Sequence, residues 1–122
     1  MTKPRMTNLF ALAIAAALTP PAFAHHSAAR FDLTIRDHTV TGIVKEWKPA
    51  NPHTKIVLEI TDAKGTRDVE FEGHSLNNYY RAGWRVGLVN VGDKITLIAA
   101  PTRDGSDGGY ALEVIAADGT RF

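Results

Sequence analysis

The chain contains no cysteine, which excludes disulfides, thiolate metal centres and cysteine nucleophiles together. It has only two methionines, Met1 and Met6, so a chain trimmed at its start has no thioether either. No apolar run is long enough to span a bilayer. The candidate "LFALAIAAAL" (9–18) would rise only about 15 Å as a helix, against a hydrocarbon core of about 30 Å. Neither a "GxGxxG" or Walker loop nor a "GxSxG" elbow is present, so nucleotide cradles and the usual serine-hydrolase context are missing. "DGSDGG" (104–109) resembles the opening of a calcium loop, but its twelfth position from Asp104 is Ile115 rather than a bidentate glutamate. That segment reads as a flexible hairpin loop.

What is present begins with a processing signal. Lys3 and Arg5 precede the apolar run, and "TPPAFA" follows it with small residues at Ala22 and Ala24. A basic start, a short apolar stretch and a small-x-small ending form the pattern of a secretory signal peptide over 1–24. The expected cut falls between Ala24 and His25, which makes the mature chain periplasmic or secreted. Loss of Lys3 and Arg5 leaves 12 of the 14 basic residues against 13 acidic ones. That balance provides no electrostatic footprint for nucleic acid. A mature chain of this size buries about two-thirds of its unfolded surface, enough for one modest core.

After a polar lead-in over 25–37, the pattern turns to β. "TVTGIVKEW" (39–47) is rich in β-branched residues, with Gly42 expected to mark a bulge or bend. The prolines of "KPANP" end it. "HTKIVLEI" (53–60) and "TRDVEFEG" (66–73) alternate about the turn "DAKG". If Thr61 and Thr66 flank that turn, Ile56 faces Phe71 and Leu58 faces Val69, while Lys55 meets Glu72 and Glu59 opposes Asp68. A slip of one residue would turn acids into the core, so the register is well specified.

Ser75 can cap a short helix over 76–82, with Leu76 and Tyr80 on its inner face and Gly83 ending it. "KITLIAA" (94–100) and "YALEVIAA" (110–117) supply two further strands, the last with Tyr110, Leu112 and Val114 on one face. Three strands, a helix and two strands predict an all-β single domain over 38–122. The expected form is a five-stranded OB-like Greek-key barrel with one short helix between strands 3 and 4. A small sandwich or open meander with the same strand order is the alternative.

The same register places His53 opposite His74, with Cβ atoms about 4.5–5.5 Å apart, close enough for two imidazoles to share an ion. Cleavage before His25 would add a terminal amine and Nδ1 that chelate together, and His26 offers a second mode through amine, amide and imidazole. The candidate metal ligands are therefore His25, His26, His53 and His74. With nitrogen donors and no sulfur, Cu(II) is expected ahead of Zn(II). The histidine pair is expected at the far end of the first strand from the lead-in, so the tail would have to run nearly straight along the barrel. No residues point to catalysis.

"HHS…F", "GIVKEW…NPH", "LNNYYRAGW" and "VGDKI" together resemble a family of small exported bacterial domains of unknown function. The resemblance implies a compact, β-rich exported domain and carries no activity. His25, His26 and Ser27 match that family's opening and Asn51, Pro52 and His53 its second motif. "GHSLNNYY" departs from it, which makes His74 this chain's own feature. Two functions are expected from these readings: a metal-holding exported domain, or an interaction module for an envelope protein or small ligand using loops 48–53 and 102–109.

Overall fold

The structure, a computed structural model, describes residues 29–122. Its elements are β1 (His38–Lys48), β2 (Thr54–Asp62), β3 (Gly65–Gly73), α1 (Leu76–Ala82), β4 (Lys94–Pro101) and β5 (Gly109–Ile115). The strands close into a barrel in the order β1-β2-β3-β5-β4. All neighbours are antiparallel except β3 and β5, which run parallel from Phe71↔Gly109 to Gly73↔Ala111. The expected OB-like barrel with its single helix between β3 and β4 is what forms.

Closure depends on β1 serving two partners. Its first half, His38 to Ile43, pairs with β4, and its second half, Ile43 to Lys48, pairs with β2. A strand shared this way must bend, and it does so through a bulge at Lys45, between Val44 and Glu46. Gly42, the expected bulge, has a different duty. A Cβ there would lie 2.6 Å from the Glu59 carbonyl oxygen, so glycine lets β2 approach β1 at the point where the two strands part.

The hairpin register is the one the hydrophobic pattern predicts, from Thr54↔Gly73 to Asp62↔Gly65. Ile56, Leu58, Val69 and Phe71 enter the core with Val44, Ile95, Leu97, Ala111 and Val114. Each large aliphatic or aromatic side chain buried there contributes about 1.5–3 kcal/mol. The expected Glu59–Asp68 conflict is relieved from outside the hairpin, because Lys45 Nζ sits 2.8 Å from Glu59.

Two faces differ from expectation. In α1 the buried tyrosine is Tyr79, while Tyr80 is exposed with the Arg85 guanidinium 3.9 Å above its ring. Ser75 caps the helix through Asn78 N–H, and Gly83 ends it at φ 112°. The Trp84 N–H then bonds the Tyr79 carbonyl at 2.9 Å, which turns Trp84 inward. Tyr79, Trp84, Trp47 and Phe122 make one aromatic cluster with centroids 5.3–6.3 Å apart, and only Tyr79 has a place in it. Over a helix of two turns, spacings of three and four share a face, so the cluster decides which tyrosine is buried. In β5, Ala111 and Val114 point inward instead of Tyr110, Leu112 and Val114. The register against β4 shifts between Ile98↔Glu113 and Ala99↔Ala111, leaving Leu112 as an extra residue that reverses the alternation. Past β5, Phe122 folds back and exchanges both backbone bonds with Val114, at 2.8 and 3.0 Å.

Gly42→Ala is expected to cost about 1–3 kcal/mol by forcing β1 from β2. Urea denaturation would show it as a lower midpoint at unchanged slope, and an unaltered midpoint would refute the close-approach role.

Candidate functional site

The β2–β3 ladder ends at Thr54↔Gly73, one pair short of the expected His53–His74 opposition. The Thr54 N–H donates to the His74 carbonyl at 3.1 Å, which leaves His53 and His74 flanking the end of the hairpin. Tyr110 on β5 joins them. The parallel pairing sets it beside Glu72, and its ring packs edge-on against both imidazoles, with centroids 5.2 Å from His74 and 6.2 Å from His53.

The hydrogen bonds fix the tautomer of His74 and leave that of His53 unset. A carbonyl can only accept, so the contact of 3.2 Å between His74 Nε2 and the Leu112 carbonyl puts the proton on Nε2. His74 Nδ1 then accepts from the Tyr110 hydroxyl at 3.0 Å. Both His74 nitrogens are thereby engaged, and burial of the side chain pushes its pKa below the ordinary value, with His53 and Arg36 adding repulsion. His53 is arranged differently. Its Nδ1 lies 3.2 Å from Glu72 Oε1 but makes no hydrogen bond there, so the contact is one of proximity and fixes no tautomer. A histidine with a carboxylate close to one ring nitrogen is a frequent arrangement behind a metal ligand.

His25 and His26 lie outside the described residues. Among the described residues no group of three or more His, Asp or Glu is placed to hold a metal ion. His53 and His74 are therefore brought to one edge as expected, but for His74 to ligate an ion it would have to release Tyr110 or Leu112.

The lead-in takes an unexpected path. Phe31 is buried and bridges Thr102, the Asp32 N–H reaches the Pro101 carbonyl at 2.8 Å, and the Arg103 N–H reaches the Arg30 carbonyl at 2.9 Å. The Phe31 ring sits 5.7 Å from Tyr110. The tail therefore crosses to the histidine edge over β4 and β5 instead of running the length of β1. From Phe31 back to His25 is six residues, at most about 20 Å of extended chain.

The sequence marks Phe31 in "HHS…F" and Tyr110 on the last strand, but places neither beside the histidines. Tyr110 was expected in the core because the bulge at Leu112 leaves no mark in the alternation. Phe31 gave one small signal, a lone aromatic between Arg30 and Asp32 in a polar stretch.

The family of unknown function DUF6152 matches residues 13–111. The chain belongs to this family. No curated protein and no solved structure matches it. The family match spans the hairpin, α1 and the start of β5, and so covers His53, Glu72, His74 and Tyr110.

A histidine held neutral in the fold favours the native state only while it stays unprotonated. The His74 contribution is present above its ordinary pKa of 6.5 and is lost as pH falls through the depressed native value. Urea midpoints measured from about pH 8 to about pH 5 should fall less steeply in His74→Phe than in the unsubstituted chain. Tyr110→Phe removes a donor to the neutral ring, so His74 should titrate at higher pH in NMR spectra. An unmoved titration would show that the hydroxyl does not hold Nδ1.

Proposed function

We propose that this chain is an exported binding domain that holds one Cu(II) ion between an amino terminus freed at His25 and the imidazole of His53. The observation that carries the reading is the docked tail. Phe31 lies against Tyr110, and Tyr110 lies against His53, so a terminus at His25 needs only a short stretch of chain to reach the His53 imidazole. Amine, terminal imidazole and His53 together make an all-nitrogen set, which suits Cu(II) before Zn(II) by ligand type and the Irving–Williams order.

His74 acts in this reading through Tyr110. It fixes the ring that separates the two histidines and supports Phe31 from behind, and it stays off the metal. His26 is the alternative second-residue ligand and competes with His53 for the same ion. Signal removal between Ala24 and His25 is part of the proposal, since without it no amine exists at that position.

The mass of the chain recovered from the envelope should correspond to a start at His25. With one equivalent of Cu(II), its electron paramagnetic resonance spectrum should show nitrogen couplings. His53→Ala should weaken binding by about 10-fold or more, and one alanine placed ahead of His25 should remove the chelate. Unchanged spectra and affinity in the extended chain would end this reading.

A further inference from the structure

The β1–β2 ladder stops at Ile43↔Glu59. Beyond it, His38 to Gly42 pair with β4 and Ile60 to Asp62 pair with β3, so the facing edges of β1 and β2 separate and leave a split in the barrel wall. Backbone direction alternates along a strand. Val44 spends its N–H on Asp93 and its C=O on Gly92, on the β4 side, so Thr39 and Thr41 turn theirs toward β2. Thr54 directs its N–H to His74, on the β3 side, so Thr61 turns its groups toward β1. Three threonines thus present backbone donors and acceptors to the split from both sides.

The split is a cavity of about 420 Å³. Val40, Val69 and Phe71 contribute its apolar lining, and loop residues Gly105 to Gly108 border it. Arg67 holds that border in place with two bidentate pairs, to Asp107 at 2.6 and 2.8 Å and to Asp62 at 2.8 and 3.1 Å. Its hydrogen bonds hold the Asp62 carboxyl down to about 2, so the link persists through the physiological pH range. The charged lining residues are two acids, Asp62 and Asp107, and two bases, Lys64 and Arg67.

We infer that this split receives an extended, uncharged polypeptide segment as a sixth strand, paired to Thr39 and Thr41 on one side and Thr61 on the other. Two features select that occupant. First, the balanced charges suit a neutral amide backbone, whereas a nucleic-acid strand is tracked by an excess of Lys and Arg. Second, edges kept from pairing carry lysine, proline or inward charges; "HTVTG" (38–42) carries none of these, and the one charge on the facing edge, Asp62, is taken up by Arg67. Main-chain bonds then supply affinity, and every second side chain of the guest points to the apolar lining. The inference is independent of the metal reading, because it uses neither His53 nor the tail.

The test uses the full chain, isotope-labelled, with the blocked pentapeptide acetyl-Thr-Val-Thr-Val-Thr-amide at about 1 mM. Amide exchange at Thr39, Thr41 and Thr61 should slow by about 10-fold, while amides bonded within the β2–β3 hairpin keep their rates. The same peptide N-methylated at every residue cannot donate along either edge and should give no protection. Thr41→Pro, which removes a donor on the open side and spares the β4 bonds, should lose binding, and Thr41→Val should keep it. Unslowed exchange would overturn the proposal. So would equal protection by the methylated peptide, or protection of the same amides by a short oligothymidylate.

Discussion

A single strand shared between two sheets is the constraint from which the rest of this molecule follows. β1 gives its first half to β4 and its second half to β2, and a barrel of only five strands closes because of that division. The bend needs a bulge at Lys45 and a residue without a side chain at Gly42, where the Glu59 carbonyl comes close. The same division opens the wall beyond Gly42. Closure of the barrel and the gap in it are therefore one geometric event, seen on the two sides of the point where β1 changes partners.

The parallel contact between β3 and β5 is the second consequence. With β1 bridging the two halves, β5 comes against the end of β3, and Tyr110 lands beside Glu72 and the two histidines. Local chemistry then separates residues of the same type. The Leu112 carbonyl and the Tyr110 hydroxyl occupy both nitrogens of His74, whereas Glu72 addresses one nitrogen of His53. Half-buried His74 supports the wall, and His53 is the histidine whose Nδ1 makes no hydrogen bond among the described residues. Phe31, pinned to the end of β4, brings the chain upstream of the barrel to that edge.

Much of the fold is legible in the residue pattern, and the reason is local. The hairpin of β2 and β3 has a clean period of two and a short turn, so its register follows from keeping acids out of the core. Ser75 and Gly83 mark the limits of α1 by backbone chemistry that needs no partner. The misplacements share one cause. Tyr79 replaces Tyr80, and Ala111 replaces Tyr110 and Leu112, where a choice between near-equivalent faces is made by something distant in sequence: the Trp47 and Phe122 rings in one case and a bulge against β4 in the other.

Residue order alone determined an all-β barrel with one short helix between its third and fourth strands, the register of the β2–β3 hairpin, and a chain without cysteine, because periodicity, turn residues and composition act over a few neighbouring positions. How both nitrogens of His74 are engaged, where the lead-in crosses the barrel, and the edges at Thr39, Thr41 and Thr61 that have no strand partner among the described residues were decided by the tertiary structure. Those properties depend on contacts between strands far apart in the chain, and such contacts exist only after β1 has bent and the barrel has closed.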